Sequence, residues 1–314
     1  MSLGNGAHFC IWVWAGRHRT CARGTAETSL YETRRMPFAR VSDIDLYYEM
    51  VGNGPPLIMV AGLGTTTRAC APLAEQFGQR CETITYDHRG VGRSSKPPDA
   101  PYSLAMYAND LEGLLRHLSI EKAHVIGMSM GGIVAQQFVL DYPGRVNKLV
   151  LITTAGHITN YMRRIGLMFR ALITRLPPAE FARTLVTLSF TAEFVERSPE
   201  TVAQVERLVT PDPSDIEGIK RQVSMLADGD FSRRLADISV PVLVVAGARD
   251  ILTPVEYSKM LATAIPDARL AVMEHSAHHP LVEEPVLCTR TVLDFLEGPS
   301  EAFVAELGEP GRAG

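Results

Sequence analysis

Ser129 stands in the run Gly127-Met128-Ser129-Met130-Gly131-Gly132, directly after the apolar AHVI and before IVAQQF. A serine at the turn from a strand into a helix is held out at the edge of a sheet. Small neighbours allow that sharp turn and let helix and strand pack closely. A serine hydroxyl is nearly inert at neutral pH, so it needs a base, and the base needs an orienting acid. Both residue types follow downstream. Asp250 closes VPVLVVAGARD, just past a buried apolar run, and His278 lies in MEHSAHHPLVEEP after the next one. All three are expected past the carboxyl ends of parallel strands, where open α/β sheets form their crevice. The five-residue serine pattern alone is a weak signal and also fits a structural turn; the strand before it, the helix after it and the two downstream partners give it weight.

The elements that must position these groups are legible from Met36 onward. FARVS and IDLYYEMV alternate apolar and polar residues, as a leading antiparallel pair would. LIMVA, ETITY, AHVIG, VNKLVLIT, VPVLVVAG and RLAVME are short apolar runs suited to strands. Helical stretches separate them: RACAPLAEQF, residues 103–118 with Ser103 as N-cap, the segment from Met130, VEYSKMLATAI, and a last helix from about Val282 to Glu297. Strands alternating with helices imply an α/β fold with parallel strands joined by crossovers.

That rhythm stops over 155–235. There NYMRRIGLMFRALITRL places Tyr161, Ile165, Met168, Phe169, Leu172 and Leu176 on one helix face, Pro177-Pro178 ends the helix, and FARTLVTLSF, ETVAQVERLV and IEGIKRQVSML continue as helices. The expected organisation is therefore a core of 36–154 and 236–298 interrupted by a helical cap at 155–235. Residues 1–35 read as a disordered or upstream extension, and 299–314 as a loose tail. The apolar HFCIWVWAG has no Lys or Arg before it and Arg17, Arg19 and Arg23 after it, the reverse of a signal peptide.

Composition sets the class. The 314 residues are 46% hydrophobic and 21% charged, as in a globular protein, and the formal net charge of −4 argues against nucleic-acid or anionic-membrane partners. Five scattered cysteines, Cys10, Cys21, Cys70, Cys81 and Cys288, form no CxxC pair and suit reduced thiols in a cytoplasm.

Four segments together resemble the α/β-hydrolase fold family, in the branch with a helical cap between core strands. They are GMSMGG at 127–132, DHRGVGRS at 87–94, VPVLVVAGARD at 240–250 and HHPLVEEP at 278–285. The resemblance implies a mostly parallel central sheet flanked by helices, with Ser129 as nucleophile, His278 as base and Asp250 as acid. It selects His278 over His275 and His279, because the base opens an H-x-P-x-x-E-x-P segment. It also implies an oxyanion hole from the backbone amides of Met130 and Leu63, and a structural role for Asp87, Arg89 and Ser94. One departure stands out: the family's usual histidine-glycine pair after the first parallel strand is Ala61-Gly62 here. Members that act on enol-lactones share that departure.

The reading that follows is a serine hydrolase of carboxylic esters, with no cofactor or metal, acting on a small to medium, largely apolar molecule. An enol-lactone or carbon–carbon bond hydrolase on the same triad is the alternative. Tyr161 and Phe169 are expected to contribute cavity surface; Arg163 and Arg164 could hold a substrate carboxylate, but the inserted segment balances its arginines against many acids, which favours a solvated face for them. Readings from other classes are weaker. LIMVAGLGTTT followed by TITYD is a crude dinucleotide fingerprint, with β-branched Thr67 where a small residue belongs. His275 and His279 have the i, i+4 spacing of a zinc pair, but Pro280 makes this a loop. A ligand receptor without turnover would leave the Ser-Asp-His set unexplained.

Overall fold

A computed structural model describes residues 37–98, 101–226 and 229–298. The expectations for 1–35 and 299–314 fall outside the described residues. Strands β1 (Phe38–Val41), β2 (Ile44–Val51), β3 (Pro56–Val60), β4 (Glu82–Tyr86), β5 (Ala123–Met128), β6 (Val146–Ile152), β7 (Val242–Gly247) and β8 (Ala268–Met273) form one sheet in the order β1-β2-β4-β3-β5-β6-β7-β8. β1 pairs antiparallel with β2, and β2 with β4; every later pairing, from β3–β4 to β7–β8, is parallel. The central strands are buried on both faces, which is why they read as unbroken apolar runs.

Helices α1 (Thr67–Phe77), α2 (Leu104–His117), α3 (Met130–Asp141), α9 (Val255–Ala264), α10 (Pro280–Glu283) and α11 (Pro285–Glu297) connect or follow the strands. Ser103 caps α2 as expected, its hydroxyl accepting from the Met106 N–H at 3.3 Å. The last helix is broken: Glu284 leaves helical geometry and Pro285 restarts it, so α10 is a single turn beside the histidine loop. One apolar cluster lies on the α2–α3 face of the sheet and a second on the α1–α11 face.

Between β6 and β7 the described residues form five α-helices, α4 (Asn160–Arg175), α5 (Pro178–Ser189), α6 (Ala192–Arg197), α7 (Pro199–Val209) and α8 (Ile216–Leu226), two 3-10 turns at Pro213–Asp215 and Leu235–Asp237, and one isolated bridge, His157 to Asp230. The apolar face expected along α4 is shifted: Phe169 and Ile173 are its buried residues, whereas Tyr161 is 42% exposed. Among the described residues, no helix is long and apolar enough to cross a membrane.

Candidate active site

β5 ends at Met128, and Ser129 follows with φ 53° and ψ −119°, a conformation costly for any L side chain. Neighbours hold it there. The Ser129 N–H donates to Ile152 O at 2.9 Å, and its carbonyl accepts from Gly132 N at 2.9 Å and Thr154 Oγ1 at 2.8 Å. The two glycines of the motif are needed for space. A Cβ on Gly131 would lie 2.0 Å from Val60 O, and one on Gly127 2.7 Å from Gly131 O. The elbow therefore forms because α3 packs its first turn directly on β3 and β5.

Asp250 and His278 meet past the ends of β7 and β8. Asp250 Oδ2 lies 2.7 Å from His278 Nδ1 and accepts from Thr253 Oγ1 at 2.6 Å; Oδ1 accepts from the Leu252 and Thr253 N–H groups at 2.8 and 3.0 Å. A carboxylate only accepts, so Nδ1 donates to it and Nε2 is the ring nitrogen left free of Asp250. Burial pushes the Asp250 carboxyl up. The charge and hydrogen bond of His278, with the Thr253 bonds, outweigh that and hold it below the usual carboxylate range.

The histidine loop is anchored to the inserted helices. The His278 N–H donates to Ser189 O at 3.0 Å, and Thr153 Oγ1 donates to His278 O at 3.1 Å. Buried Glu283 accepts from Ala277 N at 2.6 Å on one oxygen, and from Thr191 N and Thr191 Oγ1 at 2.8 Å each on the other. One carboxylate thus joins the residue before His278 to the α5–α6 corner.

Ser129 and His278 line the same cavity of about 430 Å³, together with Leu63 and Met130. The His278 ring bonds to Asp250 and not to the Ser129 hydroxyl, and contacts between a nucleophile and its base often tighten only as a reaction proceeds. The backbone N–H groups of Leu63 and Met130 have no partner among the described residues. The loop carrying Leu63 is held on both sides. His88 Nε2 donates to Ala61 O at 3.1 Å, and the Gly64 N–H donates to Gln222 Oε1 at 2.9 Å. His88 is packed among the rings of Tyr86 and Tyr107, and burial pushes its pKa down to about 4, so it stays neutral and donates to the carbonyl. Neither His88 nor Gln222 was legible as a support for this loop, since each comes from a distant element.

Asp87, Arg89 and Ser94 lie in bonded turns. Asp87 accepts from Thr67 N at 2.6 Å and Arg93 N at 2.8 Å, Arg89 pairs with buried Asp110 at 2.6 Å, and Ser94 Oγ donates to Asp87 O at 2.6 Å. Of the expected cavity residues, Phe169 and Arg163 line the space and Tyr161 and Arg164 do not. The Tyr161 hydroxyl instead donates to Ile251 O at 2.6 Å, which turns it toward the loop after Asp250. Among the described residues, no group of three His, Cys, Asp or Glu side chains converges as metal ligands would.

A strained serine after β5, an Asp–His pair after β7 and β8, and a parallel sheet with antiparallel leading strands define one class of protein. The chain belongs to the α/β-hydrolase fold family, whose pattern matches residues 55–285. It is a hydrolase by that membership and by its relatives. It is 31% identical to the putative carbamate hydrolase RutD of Azorhizobium caulinodans, over 83% of this chain and 98% of that protein. It is 34% identical to 3-oxoadipate enol-lactonase 2 of Acinetobacter baylyi, over 77% of this chain and 90% of that one. The crystal structure of the enol-lactonase from Burkholderia xenovorans LB400 superposes with a TM-score of 0.76 at 27% identity, covering 83% and 99% of the two chains.

Proposed function

We propose that this hydrolase cleaves carboxylic esters of small to medium, largely apolar substrates through an acyl-enzyme on Ser129. The observation that carries the reading is that Ser129, at a strained strand-to-helix turn, shares one cavity with a His278 ring oriented by Asp250. Ser129 Oγ attacks the carbonyl carbon while His278 Nε2 takes its proton, and Asp250 stabilises the resulting imidazolium. The Leu63 and Met130 amides hold the developing oxyanion, usually the largest electrostatic contribution to acyl transfer. The leaving alkoxide takes the proton from Nε2. A water then gives its proton to Nε2, attacks the acyl carbon and releases the acid, returning the proton to Ser129.

The cavity favours esters over carbamic acid derivatives. Its walls include Ile133 of α3, Ile158 ahead of α4, and Met162, Leu185 and Val223 of the inserted helices. A small, strongly polar carbamate would leave most of about 430 Å³ of apolar space unfilled. In this reading 155–235 is a cap that selects the substrate, and the protein acts in the cytoplasm without cofactor or metal.

A second reading, hydrolysis of an enol-lactone or of a carbon–carbon bond on the same groups, is favoured on its lactone side by the enol-lactonase relatives and by Ala61-Gly62. Butyl and p-nitrophenyl esters of rising acyl length, assayed beside enol-lactones and vinylogous diketones, test both. Turnover of the open-chain esters is the expected result, and turnover confined to lactones or diketones would replace the first reading by the second.

A further inference from the structure

The apolar cavity contains one polar ring that the chemistry above does not use. His279 lies next to His278, with ring centroids 5.4 Å apart, and packs on Phe190 at 5.1 Å. Its ring has no hydrogen-bond partner among the described residues, although its carbonyl accepts from Val282 N and Glu283 N. Partly buried, it lines the cavity of about 430 Å³ and also a second one of about 230 Å³. Ser129, His278, Gly62, Thr65, Val205 and Val209 are likewise common to both, so the two spaces are lobes meeting at the nucleophile. The smaller lobe is walled by Leu73, Phe190, Leu208 and Val282.

An imidazole that faces a largely apolar cavity without a protein partner becomes a recognition point when a ligand atom hydrogen-bonds to it. Burial, with the charge of neighbouring His278, pushes the His279 pKa down to about 3. The ring is therefore neutral in ordinary conditions, with one N–H to donate and one nitrogen to accept. It offers no positive charge to a carboxylate. Its place where the lobes meet puts the recognised atom close to the scissile bond.

We propose that His279 is a specificity-determining residue that donates a hydrogen bond to a neutral oxygen, an ether, hydroxyl or carbonyl, borne by the substrate near its scissile ester. The class of substrate is thus an ester with apolar groups on both sides of the carbonyl and one such oxygen. This rests on the ester reading for turnover, but recognition itself is measurable without turnover.

Three esters of nearly equal shape serve as probes: butyl pentanoate, butyl 3-methoxypropanoate with the oxygen on the acyl side, and 2-methoxyethyl pentanoate with it on the alcohol side. Affinities are measured by calorimetry with Ser129→Ala, and kcat/KM with the parent. One of the two ether esters should bind about 5- to 10-fold tighter than butyl pentanoate, the range for one neutral hydrogen bond. His279→Phe, which keeps a ring against Phe190, should bring that ratio close to one, and either His279→Asn or His279→Gln should restore part of it. A ratio near one in Ser129→Ala itself overturns the proposal. So does an undiminished ratio in the Phe variant carried in that background. Preferential binding with no turnover of any ester by the parent would retain the role of His279 and defeat the ester reading instead.

Discussion

The two sides of the cavity are built on different principles. On the core side, Asp250, His278 and the elbow are fixed by short polar bonds, and both oxygens of Asp250 and of Glu283 are engaged. On the side of α4, α5, α7 and α8 the lining is mostly aliphatic, and its two arginines, Arg163 and Arg170, are exposed, their guanidinium groups donating to Asn160 and Ser224. Polar bonds are directional and hold an atom in place. Apolar contacts are not, and they tolerate changes of volume-conserving side chains. The core side is therefore suited to holding one set of atoms in place, and the helical side to accepting changes of shape.

The sharpest way to break this comparison is Ser129→Ala. If the core side carries the chemistry, kcat on a butyl ester should fall on the order of 10⁴-fold or more, with KM little changed. Near-parental turnover would remove Ser129 from the reaction. Asp250→Asn is expected to cost about 10³- to 10⁴-fold, because an amide can present its NH₂ to Nδ1 and favour the wrong tautomer.

Glu283 tests whether the two sides are joined. All three of its partners are donors, Ala277 N, Thr191 N and Thr191 Oγ1. Glutamine keeps the shape but sets an NH₂ against one of those donors. Glu283→Gln should therefore lower kcat about 10- to 100-fold, since an ångström of misplacement has this effect at a reacting centre. The apparent pKa of the kcat profile should move with it, while KM for a small ester stays within about twofold. A change confined to thermal stability, with kcat and its pH profile intact, would show that the clamp does not position His278.

The parts of the site that were legible in the sequence are those where local order determines geometry. GMSMGG, GARD and HHPLVEEP each place a side chain by a turn that follows a strand, the first two at glycines and the third ahead of Pro280, and the turns lie past β5, β7 and β8. The supports were not legible. His88 reaches Ala61 across a gap of 27 residues and Gln222 reaches Gly64 across 158, and no periodicity or spacing marks such pairs. The α4 face was misplaced for a related reason. An apolar spacing shows which residues share a stripe, whereas the partner helices decide which part of it is covered, and here Phe169 and Ile173 are covered and Tyr161 is not.

His88 adds a pH signature to the core side. Its pKa in the folded protein, about 4, lies below the ordinary 6.5. Unfolding therefore takes up a proton between those values, so stability is fullest above about pH 6.5 and declines as pH falls toward 4. Urea unfolding at pH 7 and pH 4.5 should show the parent losing about 2 kcal/mol more than His88→Phe over that interval. An equal loss in both proteins would mean that His88 titrates normally and does not hold Ala61 as a buried neutral donor.

The smallest effect belongs to the helical side, and it separates two adjacent residues of like charge. Arg163 lines the cavity and Arg164 does not, yet both are exposed. Charges in water interact weakly and are screened by salt, so neither should matter for a neutral ester. For a butanedioic acid monobutyl ester, whose free carboxylate can reach the cavity wall, Arg163→Ala should raise KM about threefold at low salt, and Arg164→Ala should leave it unchanged. The Arg163 effect should vanish at roughly 0.5 M salt, where the screening length is only a few ångströms. Equal responses from the two variants, or a loss of kcat in either, would mean that charge on this side takes part in the chemistry, and the division between a reacting core and a selecting set of helices would no longer hold.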